Sequence, residues 1–450
     1  MKTQTAFVLA IVFAIGAPAF AQQLSRSEAV AQALAANPEV KLSLEQVAYL
    51  EGRITEAKAD ALPDISWNTL AMRSRDPGLL NSPNFDSFPP EFRTALSPIP
   101  GNAFSTSADL KQTVFSFKIG KALDAARLAR TAGQQDVQRA RQATALEAVR
   151  AYNQLLFAIE QLRVIRTNVD SKQSHLEFAR NRRAAGVATE LEVLRAEVDV
   201  ENQRADALRA ENEVSAARAT LNTVMLRPTH AAIQPTDTLD VVPFVTPFDD
   251  AVKEALSARP ELQTLRLQEE IQTKLMEVAG ADSKPRMDLT ASYGFAVRRP
   301  KNFFHPDYSR WSTAVTVRVP LFDGRRVAGV VAQARAQRNS VTQRIAALEN
   351  QVRLDVQSAW DALTLAERTI RVAELNVVQA RRASEMTEAN YRLGASTPLD
   401  VIDAQQALRQ AENIRIQALY SHANARATLR YVIGREPLED RAATTAPPQG

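Results

Sequence analysis

The sequence predicts a mainly α-helical chain with a transmembrane β part, built from one helix–strand–strand–long helix–helix unit used twice. Three observations predict this. The chain repeats itself, each repeat holds two segments of two-residue alternation, and each holds a helical run of about 65 residues without proline.

The repeat is direct. Ala29-Val30-x-x-Ala33-Leu34-x-Ala36-x-Pro38-Glu39 returns as Ala251-Val252-x-x-Ala255-Leu256-x-Ala258-x-Pro260-Glu261. Gly186-x-x-Thr189-x-Leu191 returns as Gly394-x-x-Thr397-x-Leu399. The first pair is offset by 222 positions and the second by 208, so the first copy holds about 14 extra residues between Pro63 and Tyr152. A period this long is a duplicated domain, not a solenoid. The parts are then a signal peptide (1–21), a first repeat (22–226), a Pro-rich linker (227–247), a second repeat (248–434) and a polar, disordered tail (435–450).

Each repeat opens on a short helix, Ser25 to Ala36 or Phe248 to Ala258. A proline and a second helix follow, Glu39 to Ala61 or Glu261 to Asp282, ended by Pro63 or Pro285. Strands come next. Met287, Leu289, Ala291, Tyr293 and Phe295 share one face, and Trp311, Thr313, Val315 and Val317 do the same. The first copy alternates more weakly, through Ile65, Trp67, Thr69 and Ala71, then Phe104, Thr106, Ala108 and Leu110. Period two is the strand signature, and about 9–11 residues per strand is the length a tilted transmembrane strand needs. The loop between the first-copy strands, Asp76 to Pro100, carries six prolines and is the expected place of the extra residues.

Long helices follow, Gly120 to Ala185 and Arg325 to Leu393. At 1.5 Å rise each spans roughly 100 Å. Val341, Ile345, Leu348, Val352, Ala359, Leu363, Ala366, Ile370, Ala373, Val377 and Ala380 make a coiled-coil-like seam. Returning helices run from Thr189 to Met225 and Thr397 to Ile433. Gly186 and Gly394 suit the left-handed position after a helix. Thr189 with Glu192 predicts a capping box, and Thr397, Pro398 and Asp400 supply an N-cap, an N1 proline and an acidic N3.

Lys2, the apolar run Ala6 to Ile15 and Ala19-Phe20-Ala21 predict an export signal cleaved after Ala21. There are no cysteines, which excludes disulfides, zinc–thiolate sites, thiol catalysis and an N-terminal lipid anchor. Net charge is +4 with both signs interspersed, so no nucleic-acid stripe is present. His175, His230, His305 and His422 are scattered and make no metal-ligand spacing. With no phosphate loop and no nucleophile elbow, the expectation is a protein that is not an enzyme and binds no cofactor or metal.

Four strands cannot close a barrel, and open edges are not tolerated in lipid, so several chains must combine. The expectation is a tube protomer: strands in an outer membrane, helices reaching into the periplasm. The sequence resembles the TolC family of outer-membrane efflux and secretion ducts, over about Leu24 to Gly434. The resemblance rests on the order of parts, on Asn37-Pro38-Glu39 and Arg259-Pro260-Glu261, and on Tyr391-Arg392-Leu393-Gly394-x-x-Thr397-x-x-Asp400-Val401-x-Asp403-Ala404. It implies a homotrimer with a shared 12-stranded β-barrel and a 12-helix periplasmic α-barrel. It further implies docking to a periplasmic adaptor and, through it, an inner-membrane pump. The competing class is a periplasmic adaptor or coiled-coil scaffold, disfavoured because two hairpins stand beside only two strand pairs.

The resemblance also assigns residues. Asp400 and Asp403 match aspartates of a periplasmic constriction, where rings of carboxylates favour cations. Tyr391 matches a tyrosine that holds the tip closed; Ser396 stands where the family has the partner arginine, and Arg392 is nearby. The first-copy counterparts of the two aspartates are Glu192 and Arg195. Gly186, Thr189, Gly394 and Thr397 match hairpin tips that meet the adaptor. Trp67, Tyr293, Phe295 and Trp311 suit an aromatic girdle against membrane lipid.

Overall fold

Strand alternation and helix caps build two units in the computed structural model, which describes residues 22–75, 77, 87–95 and 101–438. One unit comprises residues 45–134 and 264–346; the other comprises 1–44, 135–263 and 347–450. The signal-peptide expectation for 1–21 and most of the tail expectation lie outside the described residues, as does most of the Asp76 to Pro100 loop.

The elements come in the expected order. A short strand β1 (Gln22–Leu24) precedes α1 (Arg26–Ala36) and α2 (Pro38–Ala59). Strand β2 (Asp64–Ser74), the short helix α3 (Pro90–Ala95), strand β3 (Gly101–Ser116), α4 (Phe117–Ala184) and α5 (Glu190–Val224) complete the first copy. After β4 (Ile233–Pro235) the second copy holds α6 (Phe248–Ala258), α7 (Pro260–Ala281), β5 (Arg286–Val297), β6 (Ser309–Arg318), α8 (Arg326–Arg392) and α9 (Pro398–Val432).

Local chemistry explains the helix starts. Ser25 and Glu28 form a reciprocal capping box on α1. The Asn37 side chain accepts from the Glu39 amide at 2.7 Å, which starts α2 with Pro38 behind it. The matching Arg259 has no capping oxygen. Its buried guanidinium instead donates to Asp355 of α8 at 2.8 Å. Of the expected seam of α8, Val341, Val352, Ala359, Leu363, Ala366, Ile370 and Ala373 are buried, joined by Val356, while Ile345, Leu348, Val377 and Ala380 are half-buried.

Two details depart from the sequence expectation. The Pro-rich linker holds a short strand that the sequence did not predict: β4 pairs in parallel with β1, Gln22 opposite Ile233. Tyr152 of α4 fastens that pair: its hydroxyl donates to the Leu24 carbonyl at 2.8 Å and accepts from the Asp237 amide at 3.3 Å. The Asp237 carboxylate in turn accepts from the Arg26 amide at 2.6 Å. Second, β3 has 16 residues, longer than the expected 9–11, with a register shift between Thr113 and Phe115. The bulge re-aims the chain so that Phe115 pairs with Met287 and alternation continues up to α4.

In the sheet-bearing unit the four strands run antiparallel in the order β2-β3-β5-β6. The two copies therefore join through β3 and β5. Trp67, Ala108, Tyr293 and Trp311 stand on one rung and so on one face. By register that face also holds Ile65, Leu110, Phe104, Leu289, Ala291, Phe295, Val297, Val315 and Val317. Trp311 is 76% exposed, Ile65 70% and Trp67 65%. The opposite face holds Asp64, Asp109, Lys111, Arg286, Asp288, Arg310 and Arg318. There Asp109 accepts from Asn68 at 2.7 Å, Ser107 at 3.0 Å and Ser292 at 2.5 Å, and Asp288 accepts from Thr113 at 3.1 Å. The charged face is cross-linked within the sheet, whereas the apolar face leaves Ile65, Trp67, Tyr293, Trp311, Val315 and Val317 exposed among the described residues.

Gly294 makes the central pairing possible. A Cβ there would lie 2.1 Å from the Thr106 carbonyl oxygen and 2.6 Å from the Ser107 Cα. Because the obstacle is backbone, no side-chain rotation relieves it. Gly294→Ala is expected to destabilise the protein by several kcal/mol, read as a lowered melting temperature in detergent, while Ala296→Ser on the same strand melts like the wild type.

Candidate functional site

The helix turns at Gly186 and Gly394 form the two hairpin tips, and both belong to the predominantly helical unit. At the first, Gly186 adopts φ +78°, its amide donates to the Arg183 carbonyl at 2.9 Å, and the Val187 amide donates to the Arg182 carbonyl at 3.0 Å. At the second, Gly394 has φ +79°, with the equivalent bonds to Tyr391 at 3.1 Å and, from Ala395, to Asn390 at 2.8 Å. Both are Schellman closures, which use up the free carbonyls of the preceding helix. Thr189 and Thr397 then start the returning helices, each accepting from the amide three residues on.

The two caps differ in a way the sequence did not reveal. Thr397 and Asp400 form the complete reciprocal box, with the Asp400 carboxylate accepting from the Thr397 amide at 2.8 Å and its hydroxyl at 2.7 Å. Those bonds hold the Asp400 carboxyl below the usual carboxylate range, the side-chain bond contributing most. The predicted box at Thr189 is only half formed. The Glu192 carboxylate turns away from its own helix start and accepts from the Tyr391 hydroxyl at 2.7 Å. An Arg182 guanidinium nitrogen lies 3.4 Å from the same oxygen and donates to the Tyr391 hydroxyl at 2.7 Å.

Arg182, Glu192 and Tyr391 thus tie the first hairpin to the second within one chain. Tyr391 is buried. Its ring meets Phe178 at 5.5 Å and His175 at 5.7 Å, and the Arg182 guanidinium lies 5.1 Å from its centre. Burial first, and the bond to Glu192 second, raise the Tyr391 phenol above its ordinary range, which keeps it a donor. Arg392, the neighbour singled out in the sequence, is not the partner; it pairs with Glu388 on its own helix at 2.8 Å. Arg182 was missed because it lies in the other repeat, and only the burial of Tyr391 beside it exposes the relation.

Asp403 is exposed one turn beyond Asp400, and no described residue of the chain pairs with it. Arg195, its counterpart, is exposed as well. The hairpins also differ in their stapling. Between α4 and α5 run the pairs Arg166–Glu211 at 2.8 Å, Lys172–Asp199 at 3.3 Å, Arg180–Glu197 at 2.8 Å and Arg183–Glu190. Between α8 and α9 the crossing pair among the described residues is Arg381–Glu412 at 2.9 Å. Exposed pairs contribute little each, about 0–1 kcal/mol, but the contrast leaves the second hairpin less fastened to itself.

Residues 29–225 and 251–435 match the outer membrane efflux protein family, the two segments falling on the two repeats. The chain belongs to that family. Among curated relatives it is 26% identical over 426 residues to outer membrane protein TolC of Escherichia coli, covering 90% of this chain and 80% of that protein. It is 25% identical to the pyoverdine export outer membrane protein OpmQ of Pseudomonas aeruginosa, over 63% of this chain and 60% of OpmQ. The match therefore spans less than two thirds of that relative's length. Among solved structures, the Campylobacter jejuni CmeC outer membrane channel superposes with a TM-score of 0.78 at 17% identity, covering 93% of this chain and 87% of that one. The Vibrio cholerae outer membrane protein VceC superposes at 0.76 and 18% identity, covering 92% and 97%. Family membership agrees with the expected resemblance, and the superpositions carry the fold.

The tip of this family member should respond to acid. Burial first, then Lys172, hold the His175 imidazole below its ordinary 6.5, against the opposing pull of Glu192, Asp199 and Glu388. The unfolded chain then binds the extra proton more readily, so this contribution is complete above about pH 6.5 and is lost as pH falls below it. The expected outcome is a wild-type melting temperature that drops between about pH 6.5 and 5 by more than that of His175→Asn. His422 shifts in the same direction but is present in both proteins, so equal slopes would exclude His175 as the source.

Proposed function

We propose that this chain is the outer-membrane channel subunit of a tripartite efflux or type I secretion system, a passive duct from the periplasm or cytoplasm to the exterior. The observation that carries the reading is the sheet. Its charge, apart from Arg73 at one end, is on one face, its exposed aromatic side chains and most of its exposed aliphatic ones are on the other, and β2 and β6 have free edges among the described residues. That is the composition of a barrel wall with lipid outside and water inside. Among the described residues no helix is long and apolar enough to cross a membrane; in this reading the strands are the spanning elements.

Three copies supply 12 strands and close every edge. Trp67, Tyr293, Phe295 and Trp311 then face lipid as the aromatic girdle. The mature chain begins at Gln22 after removal of its signal peptide and carries no lipid anchor. In detergent extracts of outer membranes it runs as a trimer that heating converts to monomer; a monodisperse monomer that stays soluble without detergent would overturn the reading.

The tips form the periplasmic constriction, with the Arg182–Glu192–Tyr391 tie holding it shut. Asp400 spends its carboxylate on its helix cap, so the free charge of the ring comes from Asp403. Asp403→Ala is expected to lower cation selectivity and block by multivalent cations in single-channel recordings. Asp400→Ala does less to selectivity and more to tip stability, and Arg195→Ala does least. Selectivity unchanged in Asp403→Ala would remove the ring assignment.

Gly186, Thr189, Gly394 and Thr397 shape the surface read by the periplasmic adaptor. The apolar side chains presented beside them, Val187, Leu191, Leu393 and Leu399, are all more than half exposed. A bulky side chain at Gly394 must adopt a positive φ, costing roughly 1–2 kcal/mol, and it alters that surface. Gly394→Trp is therefore expected to keep the trimer and lose efflux, together with crosslinking to the adaptor.

A further inference from the structure

The apolar face of the sheet carries one ionised side chain, Arg73. It stands opposite Asn102 at the end of β2 farthest from α2, and it is exposed. Every other Asp, Glu, Lys or Arg in the four strands falls on the opposite face. At the same end of the sheet β5 runs out at Val297, opposite Phe104, and the turn to β6 begins Arg298-Arg299-Pro300-Lys301. Arg298, Arg299 and Lys301 are exposed, and no described carboxylate pairs with any of these four cations. The one acid of that turn, Asp307, lies 3.5 Å from His305.

An aromatic cluster adjoins the cations. Phe303 packs on Phe104 at 6.3 Å, Phe304 on Phe295 at 5.4 Å, and Phe295 on Tyr293 at 5.9 Å. Phe304 holds φ +64°, an uncommon conformation for a bulky residue, and its ring still rests on Phe295. Aromatic rings with cations directly beyond them match the order of a membrane boundary: acyl chains, then interface, then phosphate. Arginine suits the last layer because its planar fork binds phosphate oxygens two at a time.

We propose that Arg73, Arg298, Arg299 and Lys301 bind the phosphates of a phosphorylated lipid headgroup in the leaflet at the exterior end of the barrel. Phe303 and Phe304 set the depth at which they do so. The inference rests on the membrane reading above and adds the lipid class. It assigns a role to the turn between β5 and β6, which lies at the opposite end of the sheet from the junctions with α7 and α8.

The test uses the full-length protein reconstituted into two kinds of vesicle, phosphatidylcholine alone and phosphatidylcholine doped with lipid A, in EDTA to remove bridging divalent cations. The wild type should partition into the lipid A vesicles with on the order of tenfold preference or more, given four basic side chains near the surface. The quadruple variant R73A/R298A/R299A/K301A should insert and conduct in phosphatidylcholine as the wild type does but lose that preference. The variant R73K/R298K/R299K, with Lys301 intact, keeps the charge but not the two-point fork, so its preference should fall between those of the wild type and the quadruple variant. Inorganic phosphate at millimolar concentration should not abolish the preference; if it does, the cations bind free anion and not lipid. Equal preference in wild type and quadruple variant would overturn the proposal and leave the channel reading intact. Failure of the wild type to insert into either vesicle would overturn both.

Discussion

A backbone amide or carbonyl in hydrocarbon must be hydrogen-bonded, and a four-stranded sheet leaves two rows of them free. Much of this protein follows from that constraint. β2 and β6 each keep one edge open among the described residues, so a sheet of this kind placed in lipid needs further strands to complete it. Duplication supplies half the solution inside each chain, because β3 and β5 meet across the two copies and share 12 paired positions. In the proposed trimer, association supplies the rest. Gly294 is part of the same constraint, since the copies meet where a single methyl group would separate them.

The same constraint divides the sheet chemically. Polar groups must find partners inside the wall or in water within it, and the charged face does so with a network around Asp109 and Asp288. The other face has nothing polar to satisfy except hydroxyls and amides, which is why its large side chains stay exposed without cost when they face acyl chains. Arg73 is the exception, and it sits at the strand's end, where a long basic side chain can leave the apolar layer.

Much of this was legible in the sequence because periodicity and caps are local. The proline-free runs, the caps at Thr189 and Thr397, the seam from Val341 to Ala373 and the alternation from Met287 to Phe295 each depend on neighbours within a few residues. What was not legible depends on residues far apart. The 16-residue length of β3 follows from a bulge opposite Met287, and Gln112, Thr113 and Val114 read locally as a strand ending. The short strand at Ile233 exists because Gln22–Leu24 lies beside it, and Tyr152 bonds to Leu24 and to Asp237 just beyond it. Glu192 reads as the second half of a capping box, and the nearby Thr189 supports that reading. Its carboxylate leaves the box because Tyr391, 199 positions away, offers a buried hydroxyl.

That competition for Glu192 links the caps to the tie. A carboxylate at the third position of a helix can serve the cap or a partner outside it, not both with the same geometry. In the second hairpin Asp400 completes the cap, and Asp403 has no partner among the described residues. In the first hairpin the partner wins, because a buried hydroxyl without an acceptor costs about 1–3 kcal/mol while an exposed cap amide can turn to water. The duplicated turns thereby take different duties from nearly the same sequence. The first supplies the acceptor that holds the tip together, and the second supplies the tyrosine it holds and the charge beside it. In the proposed gate, a loosened tie would free Glu192 to return to its own helix start, so the capping bond forgone in the tied arrangement would offset part of the cost of opening.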